Sequence, residues 1–148
     1  MTVRVQSEDF DAGAEIARLR MGDKSVGAIA AFIGTVRDIN DDATVTGLTL
    51  EHYPGMTEAA LEAIVDEAKH RFDVNDVLII HRVGALAPGD QIVLVIVTSA
   101  HRRMAFDACA FAMDFLKTRA PFWKKEHLPD GERWVEARAS DDEAAQRW

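Results

Sequence analysis

Two runs, Val77-Leu78-Ile79-Ile80-His81-Arg82-Val83 and Gln91-Ile92-Val93-Leu94-Val95-Ile96-Val97-Thr98, decide the fold together with the Ala87-Pro88-Gly89-Asp90 segment between them. Both runs are rich in β-branched residues. The intervening Pro-Gly-Asp is turn chemistry, so the stretch predicts a β-hairpin. Immediately after it, residues 100–118 carry apolar side chains around most of a helical circumference (Met104, Phe106, Cys109, Phe111, Met113, Phe115, Leu116), which predicts a largely buried helix. Upstream, Leu61, Ile64, Val65 and Ala68 fall at i, i+3, i+4 and i+7, giving an amphipathic helix to about Phe72 with Thr57 as its expected N-cap.

The flanking segments complete the set. Val3–Gln6 reads as a strand and residues 12–20 as a short helix. The apolar stretch Val26–Val36 reads as a buried strand, and the alternating Val45–Tyr53 as another. Residues 118–126 read as a returning loop, 133–138 as a last strand and 141–148 as a terminal helix. The expectation is an α+β fold in one domain over residues 1–148, with a mostly antiparallel sheet and packed helices.

The chain carries a net charge of −8, which argues against nucleic-acid binding through a broad basic surface. No apolar run reaches the ~18 residues of a membrane helix, and Met1-Thr2-Val3-Arg4 has no signal-peptide core, so a cytoplasmic protein is expected. The lone Cys109 excludes an internal disulfide and, on an apolar helix, reads as a small packed hydrophobe. The histidines lack ligand-like spacing, so neither a metal nor a cofactor is expected.

Against this acidic background the cations are concentrated. Lys117, Arg119, Lys124 and Lys125 crowd around Pro121, Phe122 and Trp123. Such a cluster holds an anion, or else merely offsets the helix C-terminal dipole. His101, Arg102 and Arg103 open the same helix, where positive charge opposes the macrodipole. They serve an anion at the free N–H groups, or Ser99 caps the helix and the arginines reach into solvent. Sixteen residues of helix put the two clusters about 24 Å apart. They can meet only if the chain folds back or two protomers pair. Arg37, just past a strand, suits an anion contact or a structural pair with Asp38 or Asp41. At the end of a buried helix, the Lys117 ammonium is expected to be partly desolvated.

Several segments together resemble one family. These are Gly34-Thr35-Val36-Arg37, Leu50-Glu51-His52-Tyr53-Pro54-Gly55-Met56, His81-Arg82-Val83-Gly84, Pro88-Gly89-Asp90, Thr98-Ser99-Ala100-His101-Arg102, Leu116–Lys125 and Arg133-Trp134-Val135-Glu136-Ala137. In that order they resemble the catalytic subunit of molybdopterin synthase, from about Gly27 to Trp148. The resemblance implies a hammerhead-like α/β fold and a sulfur transfer to cyclic pyranopterin monophosphate, making the dithiolene of molybdopterin. It also implies a small ubiquitin-like sulfur-carrier partner with a thiocarboxylated C-terminal glycine, and a homodimer with one small subunit at each end. Carried over by position, the essential lysines are Lys117 and Lys124. Substrate contacts fall on Thr35, Val36, Arg37, His101, Arg102, Lys125 and Glu126, with Arg138 reaching the neighbouring protomer's site. The competing expectations are a non-catalytic adaptor for a ubiquitin-like tail, and a base-stacking nucleic-acid module using Phe122 and Trp123.

Overall fold

A computed structural model describes residues 2–135 and 139–148. The predicted hairpin forms: β6 (Asp76–Arg82) pairs antiparallel with β8 (Gln91–Ser99). They are the centre of a four-stranded sheet in the order β1-β6-β8-β2, with β1 at Val3–Gln6 and β2 at Ala28–Thr35. Only the β1–β6 pair is parallel.

Strand alternation sorts the hairpin's side chains between two cores. Val77, Ile79, Val93, Val95 and Val97 face α2 (Met56–Arg71) and α3 (Arg102–Arg119). Leu78, Ile80, Leu94 and Ile96 face the opposite side, where Phe10 and the helix α1 (Ala12–Arg20) cover them. Burial on both faces explains why these strands are continuously apolar. The α2 residues Leu61, Ile64, Val65 and Ala68 are buried as the helical spacing predicts.

A second sheet has the order β10-β9-β5-β7 and is antiparallel throughout. Its strands are β5 (Gly47–His52), β7 (Gly84–Leu86), β9 (Phe122–Leu128) and β10 (Gly131–Val135). The short strands β3 (Ile39–Asn40) and β4 (Ala43–Thr44) pair with each other, and α4 (Ala139–Gln146) ends the chain. Gly84, at φ 89°, turns the chain from β6 into β7 and so from one sheet to the other. The hairpin's connection therefore carries a strand of its own.

Four further expectations change. The segment 118–126 is not a loop, because from Phe122 it is strand β9, paired to both β5 and β10. Thr57 does not cap α2. Gly55 occupies that position at φ 85°, while the buried Thr57 hydroxyl accepts from the Tyr53 N–H at 3.0 Å and donates to the Pro121 carbonyl at 3.1 Å. That bond ties the start of α2 to the start of β9. Strand β2 is not buried: it lies at a sheet edge with Ile29, Phe32 and Ile33 exposed. Phe106 on α3 is also 64% exposed, so that helix is buried on fewer sides than its composition suggests. No helix among the described residues is long and apolar enough to cross a membrane.

Candidate active site

A cavity of about 470 Å³ opens between the two sheets, within the range of small-molecule sites. Three separate stretches supply its polar walls. Strand β2 breaks register between Gly34 and Thr35, and a bulge of this kind re-aims the residues that follow it. Thr35, which ends β2 opposite Gln91, and Val36 and Arg37 beyond the strand thereby line the cavity. Val36 is pinned there by its N–H to the Asp90 carbonyl at 2.9 Å, and its own carbonyl accepts from Gly89 at 2.8 Å. The last turns of α3 bring Leu116 and Lys117. Strand β9 brings Phe122, Lys124 and Glu126.

Period-two alternation along β9 separates neighbouring charges. Lys124 and Glu126 point into the cavity, whereas Lys125 lies on the other face. Its Nζ sits 4.6 Å from the Trp134 ring centroid and 3.5 Å from a Glu132 oxygen. Lys125 is thus outside the cavity that Lys117 and Lys124 share. Lys117 is exposed in the single chain, contrary to the expected partial desolvation.

Glu126 is 5% exposed and has both oxygens engaged. One accepts from Asn40 Nδ2 at 2.8 Å and the other from Arg133 Nε at 2.8 Å. Arg133 also donates to the Asn40 carbonyl at 2.9 Å, and Arg37 donates to Asn40 Oδ1 at 3.2 Å. A buried carboxylate needs such partners to remain charged. The effect is a chain of contacts from β10 through β9 to the loop after β2, which sets where Arg37 stands. Sequence reasoning missed Asn40 and Arg133: Asn40 looked like one member of a polar loop, and Arg133 like an ordinary strand residue.

The second missed residue type is a histidine. His81 lies in phase with Val77 and Ile79 on β6, is 3% exposed, and lines the cavity. Its ring stacks on Phe122 with centroids 3.8 Å apart and planes tilted by 17°. Burial, with smaller contributions from the Lys124 and Lys117 charges, pulls its pKa down to about 3. The position was visible in the strand's alternation, since a histidine in register with core valines must face a core or a cavity.

His101 and Arg102 are not in this cavity. His101 is the N-cap of α3, in extended backbone, and His101, Arg102 and Arg103 are all exposed. Ser99 does not cap the helix: its buried hydroxyl donates to the Asp73 carbonyl at 2.8 Å. Because α3 is continuous, the N-terminal and C-terminal cations of one chain stay about 24 Å apart. Arg138 falls outside the described residues. Cys109 is buried among the core residues, with its thiol pushed up to about 11 by burial, and takes no part in the cavity. Among the described residues no group of three or more His, Cys, Asp or Glu gathers as a metal site.

The α+β fold thus brings two lysines and an arginine from separate elements to one cavity. Comparison with known proteins specifies the family. The profile described as MoaE protein matches residues 5–119. A molybdopterin synthase catalytic subunit from Ralstonia nicotianae is 62% identical over 147 residues, covering 99% of this chain and 84% of the relative. One from Pseudomonas aeruginosa is 55% identical, covering 100% and 99%. The solved molybdopterin biosynthesis MoaE protein from Burkholderia ambifaria superposes with a TM-score of 0.85 at 56% identity, covering 99% of this chain and 97% of that one. The chain belongs to the MoaE family, the catalytic subunits of molybdopterin synthase. Membership favours the synthase over the adaptor expectation.

Proposed function

We propose that the cavity is where sulfur passes from the thiocarboxylated C-terminal glycine of a small ubiquitin-like carrier to cyclic pyranopterin monophosphate, in the cytoplasm. The observation that carries the proposal is the convergence of Lys117, Lys124 and Arg37 on one cavity of a protein that is acidic overall. Both reactants are anions, a phosphate ester and a thiocarboxylate, and ammonium and guanidinium groups hold such anions by charge-assisted hydrogen bonds. As a thiocarboxylate sulfur forms its bond to a substrate carbon and the cyclic phosphate ester opens, negative charge moves onto oxygen. The two lysines stand where they can neutralise it or donate a proton. Hydrolysis of the remaining carbonyl–sulfur bond returns the carrier as a carboxylate, so sulfur transfer consumes no cysteine of this chain. Thr35 and Val36 shape the wall beside Arg37, and Glu126 acts through Asn40 to hold that arginine in place.

The working unit is a homodimer with a small subunit at each end. Strand β2 supports this reading, since it ends its sheet with an open edge and shows Ile29, Phe32 and Ile33 to solvent. An edge of that kind invites pairing with another chain. Across such a dimer the exposed His101 and Arg102 of one protomer would complete the cavity of the other, which the length of α3 forbids within one chain, and Arg138 is assigned to the neighbouring protomer's cavity by the family resemblance alone.

Reconstitution tests the reaction directly. The purified chain, a thiocarboxylated small subunit and cyclic pyranopterin monophosphate should yield a dithiolene product, and absence of product would refute the assignment. Mixing Arg102→Ala with Lys117→Ala protein should restore part of the activity each lacks, because mixed dimers then hold one intact composite site. No restoration after subunit exchange would contradict the shared site.

A further inference from the structure

The cavity's cations account for the phosphate and the thiocarboxylate but not for the rest of the substrate. Lys117, Lys124 and Arg37 can only donate hydrogen bonds. Glu126 could accept, yet each of its oxygens already takes a bond from protein. Asp141 also lines the cavity, but an anion among three cations is an ion-pair partner first. A pterin ring presents N–H donors, and a site that recognises it needs an acceptor that stays an acceptor.

His81 has that character from its geometry. Its Nδ1 lies 2.8 Å from the Arg82 carbonyl, which can only accept, so Nδ1 carries the proton. The neutral ring then has a bare Nε2. Stacking on Phe122 at 3.8 Å and burial to 3% exposure hold the ring in one orientation. The ring is kept neutral from several sides: by its own desolvation, by Lys124 on β9, by Lys117 on α3, and by His52 on β5. A histidine that is neutral, fixed in tautomer and immobile is a hydrogen-bond acceptor of constant strength.

We infer that His81 is a specificity-determining residue of this site, its bare Nε2 accepting a ring N–H of the bound pterin while Lys117, Lys124 and Arg37 hold the anionic groups. This division of labour rests on the proposed reaction. It accounts for a polar side chain placed in phase with core valines on the central hairpin, where an apolar residue would pack at less cost. It also gives Phe122 a task, as the platform that keeps the imidazole in place, at the start of the strand that carries Lys124.

Two variants and two probes test it. His81→Phe keeps an aromatic ring against Phe122 and removes the acceptor, whereas His81→Gln places an amide oxygen near the former Nε2. In the assembled synthase, His81→Phe should raise KM for cyclic pyranopterin monophosphate about tenfold or more, the size of one lost hydrogen bond to a buried partner. Competitive inhibition by inorganic phosphate should be unchanged, and His81→Gln should recover most of the loss. An unchanged KM in His81→Phe, or an equal loss of phosphate inhibition, overturns the inference, since the residue would then be idle or merely structural. A second readout does not depend on turnover. In the folded parent at pH 7, adding 6-hydroxymethylpterin should shift the His81 Nε2 nitrogen resonance, and adding inorganic phosphate should not. Absence of the pterin shift overturns the inference even where the parent makes product. If the parent makes no dithiolene but the shift appears, the reaction assignment fails and pterin recognition by His81 stands.

Discussion

Acid should destabilise this fold through His81. The folded protein holds the imidazole at a pKa of about 3, against the ordinary value of 6.5 in an unfolded chain. Between those values the unfolded state binds a proton that the folded state refuses, so stability rises with pH across the window. Well above pH 6.5 neither state is protonated and the full stability is present. As pH falls the loss grows by about 1.4 kcal/mol per unit, reaching about 2 kcal/mol between pH 7 and pH 5. That is a sizeable part of the 5–15 kcal/mol typical of a domain. Asp9, Glu15 and Asp23 also have lowered pKa values, chiefly through hydrogen bonds and, for Glu15, its two arginines acting against burial. Their stabilisation is lost only as pH falls below the ordinary carboxylate range, outside the 5–7 window. Urea unfolding at pH 7, 6 and 5, at one protein concentration, should show the parent losing about 2 kcal/mol more than His81→Phe over that range. Equal pH slopes in parent and variant, or a folded-state His81 titrating near 6.5, would refute the reasoning.

Three other outcomes follow from single contacts. Arg133→Ala leaves the Glu126 carboxylate buried with Asn40 as its one remaining partner among the described residues, and should cost about 2–3 kcal/mol in urea unfolding, near the lower end for a broken buried pair because Arg133 is partly exposed. Gly27→Ala would set a Cβ 2.3 Å from the Ala100 carbonyl oxygen, forcing backbone to move at the entry to both β2 and α3. A loss of about 1–3 kcal/mol, read as a lowered Tm, is expected, and an unchanged Tm would show that the two segments separate freely. Cys109, with its thiol pushed up to about 11, should resist iodoacetamide at pH 8 until urea unfolds the chain, and Cys109→Ala should retain sulfur transfer.

The elements that were legible in the sequence are those whose periodicity is set within one chain. Strand β1, helix α1 and the β6/β8 pair appear where the pattern puts them, because each turns an apolar face to a core built from neighbouring segments. Strand β2 was misread as buried for a physical reason: Ile29, Phe32 and Ile33 are apolar whether a core or another molecule covers them, and hydrophobicity alone does not distinguish the two. Strand β9 was hidden because Pro121 and a run of cations look like loop chemistry. Its alternation of Lys124, Lys125 and Glu126 becomes meaningful only once β5 and β10 flank it. In the cavity, Lys117 and Lys124 stand out in the sequence as part of a cation cluster in an acidic chain, whereas Arg37 is singled out only by the family resemblance. The groups around them, Asn40, Arg133 and His81, are ordinary residue types whose role comes from burial and contact. Asn40 and Arg133 have no signature in a linear pattern, and His81 shows only as a histidine in register with core valines.

The central claim is that Lys117 and Lys124 face the reacting groups, and single-turnover transfer with Lys117 variants measures it most directly. Lys117→Ala, mixed with thiocarboxylated small subunit and cyclic pyranopterin monophosphate, should lose at least about 10²-fold in the rate of dithiolene formation while still binding the small subunit. Lys117→Arg separates the roles, since it keeps the charge but cannot supply a neutral amine. Activity in Lys117→Arg near the parent's would assign an electrostatic role, and activity as low as in Lys117→Ala would assign proton transfer. Dithiolene formation by Lys117→Ala at the parent rate would contradict the account, because the cavity would then not be the site of the chemistry.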